Sequence, residues 1–268
     1  MVVKEEIVEI NAKFLSHVKV EKDACKINAD GMHYRELNQL LRSLDNNGTE
    51  KIEIRNVYGQ RYIGTDLEKN MHIDIYGTPG NDLGAFLNGP RIVVHGNAQD
   101  CCGNTMNKGQ IIIHGHAGDV TGYAMRSGKI FIRDDVGYRT GIHMKEFKRK
   151  KPYLVVGGTA QDFLGEYMAG GVLVVLGLTL KAGERHRARF VGTGMHGGII
   201  YIRGELPANH LGKEVKVIDV NKNDLTLIQS LVKEFCGYFN FKFNEVMDGK
   251  FSKIVPFSHR PYGSVYAY

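Results

Sequence analysis

Aliphatic residues alternating with a second residue and ending at a glycine corner recur along the middle of the chain. The rows are Ile73-Asp-Ile-Tyr-Gly77, Ile92-Val-Val-His-Gly96, Ile111-Ile-Ile-His-Gly115, Ile130-Phe-Ile-Arg-Asp134, Leu154-Val-Val-Gly-Gly158, Leu173-Val-Val-Leu-Gly177 and Ile200-Tyr-Ile-Arg-Gly204. Successive corners are 19, 19, 19, 24, 19 and 27 residues apart, so the unit is 19 residues and the two excesses are insertions. Positions four and two before each corner are aliphatic in all seven rows, and that alternation sends both side chains to one side of a strand. Rows stacked about 4.8 Å apart would pair each strand with its equivalent in the next coil and close a continuous apolar interior. Nineteen residues are too few for the strand, helix and return of a leucine-rich repeat. They suit three short strands joined by sharp bends at which glycine supplies positive φ. The fold expected is all-β: a single-stranded parallel β-helix of about seven coils, each of ~19 residues, with short α/β caps at both ends.

Other columns keep the same register. Gly84, Gly103, Gly122, Gly141 and Gly165 lie seven residues past their corners, and Leu87, Met106, Met125, Met144 and Met168 three residues further on. Gly192 and Met195 rejoin after the longer insertion, so five of the nine methionines share one column, which reads as adaptable core filling. Asn81, Asp100, Asp119 and Asp162 stand four residues after their corners. Carboxylates one rung apart repel, so this column is expected to be solvated or bonded to turn amides as Asx turns are, in preference to forming a metal ladder. The outward strand positions are Val93, Ile112, Phe131, Val155, Val174 and Tyr201, with Asp74 the exception. A face that should be polar is apolar, so the chain's own helix or another subunit must cover it.

Before the repeats, Leu37, Leu40, Leu41 and Leu44 follow helical spacing and Asn46-Asn47-Gly48 stop the helix; a strand follows over Lys51 to Val57. After the repeats, a strand is expected over Glu214 to Val220. Asn223-Asp224 should then cap a helix with Leu225, Ile228, Leu231, Val232 and Phe235 on one side. The expected organisation is an N-terminal cap over 1–50, the β-helix over 51–206, and a C-terminal strand, helix and tail over 207–268.

Composition narrows the classes. The chain has 268 residues, 43% of them hydrophobic, enough for a substantial core and unlike a disordered segment. Its start, Met1 to Asn11, is acidic and polar, without the order of a signal peptide, and no apolar run reaches the length of a membrane span. A cytoplasmic protein with no membrane association is expected. Cys25, Cys101, Cys102 and Cys236 form neither a CxxC nor a disulfide framework and read as free thiols. The net charge of +6 is concentrated over Lys145 to Lys151 and Lys181 to Arg189. No nucleic-acid motif accompanies these stretches, which read as solvated loops or as a contact for an acidic partner protein.

Candidate chemistry is sparse. Gly192-Thr-Gly194-Met-His-Gly197 spells GxGxxG, but the β-branched run after it lacks the helix that a dinucleotide fingerprint requires. His95 and His114 occupy equivalent outward positions one coil apart, with His116 nearby, and are the only metal candidates; no third ligand column converges on them. The vicinal Cys101 and Cys102 should face opposite ways in an extended segment, against a shared iron–sulfur cluster. Arg139, His143 and Arg185-His-Arg-Ala-Arg189 offer cationic groups without a nucleophile and its base. No catalytic or cofactor-binding residue is assigned.

Gly96-Asn-Ala-Gln-Asp-Cys-Cys-Gly-Asn-Thr-Met-Asn-Lys-Gly109, Gly158-Thr-Ala-Gln-Asp-Phe-Leu-Gly-Glu-Tyr-Met-Ala-Gly-Gly171 and Gly194-Met-His-Gly-Gly198 resemble the GXGXG family. That family includes the C-terminal domain of the glutamate synthase large subunit, its free-standing form (domain 3), and one of the subunits of formylmethanofuran dehydrogenase. Gly118-Asp-Val-Thr-Gly-Tyr-Ala-Met-Arg and Gly141-Ile-His-Met-Lys are most similar to the free-standing glutamate synthase form. The resemblance covers roughly residues 50 to 206. It implies a right-handed β-helix that buttresses glutamine amidotransferase and glutamate synthase core subunits, with FMN and the iron–sulfur cluster in the partner. It also implies a non-catalytic docking subunit of a split glutamate synthase-type complex, in which partners transfer the glutamine amide to 2-oxoglutarate. The chain has no cluster-binding cysteine motif, so no cofactor is expected within it, and a homo-oligomer is compatible. Two alternatives stay open: a stand-alone metal-dependent β-helix enzyme using His95 and His114, and a non-catalytic scaffold like the formylmethanofuran dehydrogenase member of the family.

Overall fold

The structure is a computed structural model that describes residues 16–21 and 24–257; the Met1 to Asn11 segment lies outside them. Its strands are β1 (Val18–Glu21), β2 (Ala24–Asn28), β3 (Lys51–Tyr58), β4 (His72–Thr78), β5 (Asn88–Val94), β6 (Lys108–Ile113), β7 (Gly128–Ile132), β8 (Pro152–Val156), β9 (Ala169–Val175), β10 (Gly197–Arg203), β11 (Val215–Ile218) and β12 (Phe251–Pro256). The helices are α1 (Tyr34–Asn46), α2 (Lys222–Phe239) and α3 (Phe243–Met247). All twelve strands form one sheet in the order β1-β2-β3-β4-β5-β6-β7-β8-β9-β10-β12-β11. Neighbours from β2 to β10 are parallel, and each end is finished by antiparallel pairing: β1 on β2, and β12 and β11 beyond β10. The chain is therefore a β-solenoid of about six turns, slightly fewer than the seven coils expected from counting rows.

The in-register stacking follows from the side-chain period. Ile73, Ile92, Ile111, Ile130, Leu154, Leu173 and Ile200 pair in sequence. So do Ile75, Val94, Ile113, Ile132, Val156, Val175 and Ile202, and both files are buried in one core. Leu87, Met106, Met125, Met144, Met168 and Met195 line the same core, as their shared column predicts. A one-residue slip of any row would turn both aliphatics outward, so the apolar pattern fixes the register.

Each coil carries one full strand where three short ones were expected. A second side is held only by single bridges, Ala98 to Ala117 to Val136, and the third is a turn described below. Side chains there bond to the next coil. Asp100 accepts from the amide of Asp119 at 2.9 Å, Asp119 from that of Tyr138 at 2.8 Å, and Asp162 from that of Arg189 at 2.8 Å. The acid column is thus satisfied by turn amides one coil on, which replaces the local Asx turns expected. Each carboxylate takes a proton donor from the following rung, and this offsets the repulsion along the column. The corner glycines also differ from expectation. Gly77, Gly177 and Gly204 have positive φ, whereas Gly96, Gly115 and Gly158 do not. At Gly115 and Gly158 close approach forbids a side chain: a Cβ would lie 2.2 Å from Asn97 Oδ1 and from Asp135 Oδ1, respectively.

At the N-terminal end, α1 lays Leu37, Leu40, Leu41 and Leu44 into the main core, with His33 as N-cap and Asn47 as C-cap. The Asp45 carboxylate accepts from the amides of Glu68 and Lys69 at 3.3 and 3.2 Å, and Asn38 Nδ2 donates to the Arg61 carbonyl at 2.9 Å. These side chains supply bonds that a preceding coil would otherwise make. At the other end, Glu214 accepts from the amide of Gly194 at 3.0 Å in the same way.

The apolar outer strip is covered by the chain itself. Val93, Ile112, Phe131, Val155, Val174 and Tyr201 form a second core with Ile228, Leu231, Val232, Phe235, Cys236 and Phe239 of α2. The strip is therefore not a docking surface for another subunit, and of the two covers expected the chain's own helix is the one present. The α2 N-cap is Asn221 and not Asn223-Asp224, and Leu225 is exposed. Asp224 is buried at the third helical position. There it bonds back to the Asn221 amide at 2.9 Å and accepts from Tyr201 Oη at 2.5 Å and from Lys253 Nζ at 2.8 Å. Burial alone would raise the Asp224 pKa, but the bonds from Lys253 and Tyr201 outweigh it and hold the carboxyl below its ordinary value. This network pins α2 and β12 to the last repeat strand. No helix among the described residues is long and apolar enough to cross a membrane.

Candidate docking face

The column glycines Gly84, Gly103, Gly122, Gly141, Gly165 and Gly192 all lie at φ between 64° and 76°. The residues two before them, Asp82, Cys101, Val120, Arg139, Phe163 and Phe190, are left-handed too. So are those two after, at Phe86, Thr105, Ala124, His143 and Tyr167. Each coil therefore turns through three alternating left-handed residues, and only the middle one is always glycine. A left-handed conformation costs an L-residue ~1–2 kcal/mol, and the β-branched Val120 is an outlier there. Hydrogen bonding explains its persistence. The outer left-handed amides donate forward, as Cys101 N does to Asp119 O at 2.8 Å and Thr105 N to Tyr123 O at 2.8 Å. The glycine amide donates backward, as Gly103 N does to Leu83 O at 2.8 Å. Strain in every coil is offset by bonds to both neighbours. The middle position is crowded as well: a Cβ on Gly103 would lie 2.3 Å from Ile130 Cδ1, the end of a buried side chain that would have to shift.

The outer left-handed positions and the residues beside them carry an uncovered aromatic face, on a different side of each coil from the strands under α2. Tyr62, Phe86, Tyr123, Tyr138, Tyr167 and Phe190 are all exposed, Phe190 by 50%. His143 stacks on Tyr167 at 5.4 Å and meets Tyr123 edge-on at 5.9 Å. Phe163 stacks on Phe190 at 5.0 Å, and Arg139 lies over Phe163 at 4.9 Å while its Nε donates to Glu166 at 2.9 Å. Arg139 and His143, noted in the sequence only as cations, belong to this face. Its aromatic character was missed; the available signal was the residue two positions either side of each column glycine.

The two basic stretches border the same side of the coil. Lys145 to Lys151 directly follows the left-handed turn 139–143, and the insertion 178–189 directly precedes the turn beginning at Phe190. Both expose their cations, and the second is anchored by buried His186, whose Nε2 donates to the Arg203 carbonyl at 3.0 Å. Burial lowers the His186 pKa, with a bond to that carbonyl opposing it.

His95 and His114 do come together, as parallel rings 5.5 Å apart in a ladder that runs from Tyr76 at 4.3 Å to Phe239 of α2 at 5.0 Å. Their faces meet each other, and His95 Nε2 lies 2.8 Å from Asp74 Oδ1. Burial, with His95 and Arg133 nearby, lowers the His114 pKa. Stacking directs the ring nitrogens away from a shared point between the rings, so the pair reads as packing under α2. Among the described residues no three His, Cys, Asp or Glu side chains are grouped to hold a metal. Cys102 is buried and Cys101 half-buried, although Cys101 stands in the left-handed turn and not in the extended segment from which opposite facing was expected, and all four thiols are free. Burial pushes the Cys25 thiol up to about 11 and raises the others, which makes them poor nucleophiles. Gly197 opens β10, so the GxGxxG spelling leads into a strand and not a helix.

An uncharacterized protein of Methanocaldococcus jannaschii is 49% identical over 248 residues, spanning 90% of this chain and 95% of that protein. The family model described as GXGXG motif matches residues 42–257, which takes in the solenoid together with α2 and β12. The repeating left-handed glycine turn and this match identify the chain as a member of the GXGXG motif family.

Proposed function

We propose that this chain is a docking and scaffold subunit, without a catalytic site of its own, of a glutamate synthase-type complex whose partner subunits transfer the glutamine amide to 2-oxoglutarate. The family is associated with glutamate synthase-type domains, which supports the class of complex. The observation that carries the docking role is the face described above. One long side of the solenoid is sealed by α2, while the left-handed side leaves stacked aromatics in solvent between two basic loops. Exposed apolar surface rimmed by charge is what a partner protein buries. A rigid ladder of inter-coil hydrogen bonds fixes that surface and favours binding without reorganisation.

The test is affinity purification of the tagged chain from its native host at low salt. Recovery with an amidotransferase and a flavin- and iron–sulfur-containing synthase core supports the reading. Recovery alone at every salt concentration defeats it. Recovery with a molybdopterin protein instead transfers the docking role to a formylmethanofuran dehydrogenase-type assembly.

A further inference from the structure

We infer that the occupant of the C-terminal half of the left-handed face is an acidic, aromatic- or aliphatic-containing segment of a partner protein, held between the loops 145–151 and 178–189. The inference rests on the docking role proposed above and adds the chemistry of the contact. Residues 122–190 hold thirteen Lys and Arg against six Asp and Glu, a formal excess of +7, whereas the whole chain carries +6. The positive charge of the molecule is thus concentrated in these coils. Several of the six acids are already engaged: Glu166 with Arg139, Asp134 with Arg133, Glu146 with Lys151 and Glu184 with Arg187. Lys148, Arg149, Lys150, Lys181, Arg185 and Arg189 remain solvent-exposed. The first group stands immediately after the turn 139–143 and the second immediately before the turn that begins at Phe190, two coils on, so a segment laid along the aromatics of these successive coils meets cations near both of its ends.

Charge complementarity decides among occupants. A second copy of this face would bring two concentrations of like charge together, which opposes self-association through it. A single-stranded nucleic acid would need open aromatic faces for its bases. Here His143 and Tyr167 already stack on each other, as do Phe163 and Phe190. Side chains with carboxylates at the ends and apolar groups between fit this surface; a polyanion of uniform charge does not.

The test uses the full chain and three probes of equal charge and length: a labelled peptide alternating Glu with Phe, one alternating Glu with Ser, and a uridine oligonucleotide. The Glu/Phe peptide should bind most tightly. K148E/K150E and R185E/R187E should each weaken it by roughly tenfold, and Tyr167→Ser should narrow its advantage over Glu/Ser, while the α2 variant K222E/K233E leaves binding unchanged. Tighter binding of the oligonucleotide, equal loss in the α2 variant, or a dimer dissolved by the loop variants each overturns the inference. Native co-purification separates the two proposals. If amidotransferase and synthase subunits are recovered equally with wild type and both loop variants, the docking role stands and this surface is refuted. If nothing is recovered with wild type while the peptide results hold, the assembly reading falls and the surface stands.

Discussion

Gly103→Ala isolates what the column glycine does. Gly103 sits at φ 70°, and a methyl group there would lie 2.3 Å from Ile130 Cδ1 and 3.6 Å from Ile111 Cδ1, both fully buried. Alanine therefore meets a left-handed strain of ~1–2 kcal/mol and an overpacking term of ~1–3 kcal/mol, for a loss of about 2–5 kcal/mol. Gly31 supplies the control: its φ is 68° with nothing within 4 Å, so Gly31→Ala incurs only the strain. Ile130→Val removes the clashing methyl and by itself should cost ~0.5–1.5 kcal/mol. If steric exclusion governs the column, G103A/I130V will be more stable than the sum of its single variants by about 1–3 kcal/mol. Guanidinium unfolding followed by circular dichroism, with midpoint and slope fitted separately, measures these differences. A G103A loss no larger than that of Gly31→Ala, or strict additivity of the double variant, refutes the reasoning.

Asp224→Asn leaves Lys253 buried without its counter-charge and should cost about 3–5 kcal/mol, with loss of exchange protection in α2 ahead of the repeat strands. Because the folded Asp224 pKa is depressed, its stabilisation is present above the ordinary carboxylate pKa and lost as pH falls through the folded value. The acid limb of the stability profile should therefore flatten in that variant. His186 and His114 also have lowered pKa values, so the unfolded chain takes up protons first. Thermal midpoints should fall from about pH 7.5 to about 5.5, and His186→Gln should remove part of that slope. Phe235→Ala opens the seal between α2 and the strand face, with an expected loss of ~3–5 kcal/mol and a rise in binding of a hydrophobic dye.

The stacking was legible because two apolar positions and one methionine per coil repeat at a fixed interval, and register in a parallel sheet is set by that repetition. The strip under α2 was legible as a surface needing cover, yet not its occupant, since only the folded chain shows α2 crossing six coils. The left-handed turn was read incompletely. Glycine announces positive φ, but Val120, Phe163 and Tyr167 adopt it under the compulsion of hydrogen bonds to adjacent coils, which no local propensity encodes. For the same reason the aromatic face was invisible. The rings that touch lie twenty or more residues apart in sequence, as Tyr123 and His143, His143 and Tyr167, and Phe163 and Phe190 do, and they meet only after the coils stack. His95 and His114 were placed one coil apart by the repeat; Tyr76, one rung earlier in the same column, extends their stack, while Phe239, which closes the ladder, comes from α2 and lies outside that column.

Hydroxyl-radical footprinting of the chain, free and within the complex recovered from its host, tests the docking account most directly. The account predicts that Tyr123, Tyr167 and Phe190 lose reactivity several-fold on assembly, while Tyr58, which is 73% exposed at the N-terminal end, and Leu225 on α2 keep theirs. Protection of Leu225 and Tyr58 with unchanged reactivity at Tyr167 and Phe190 would contradict it.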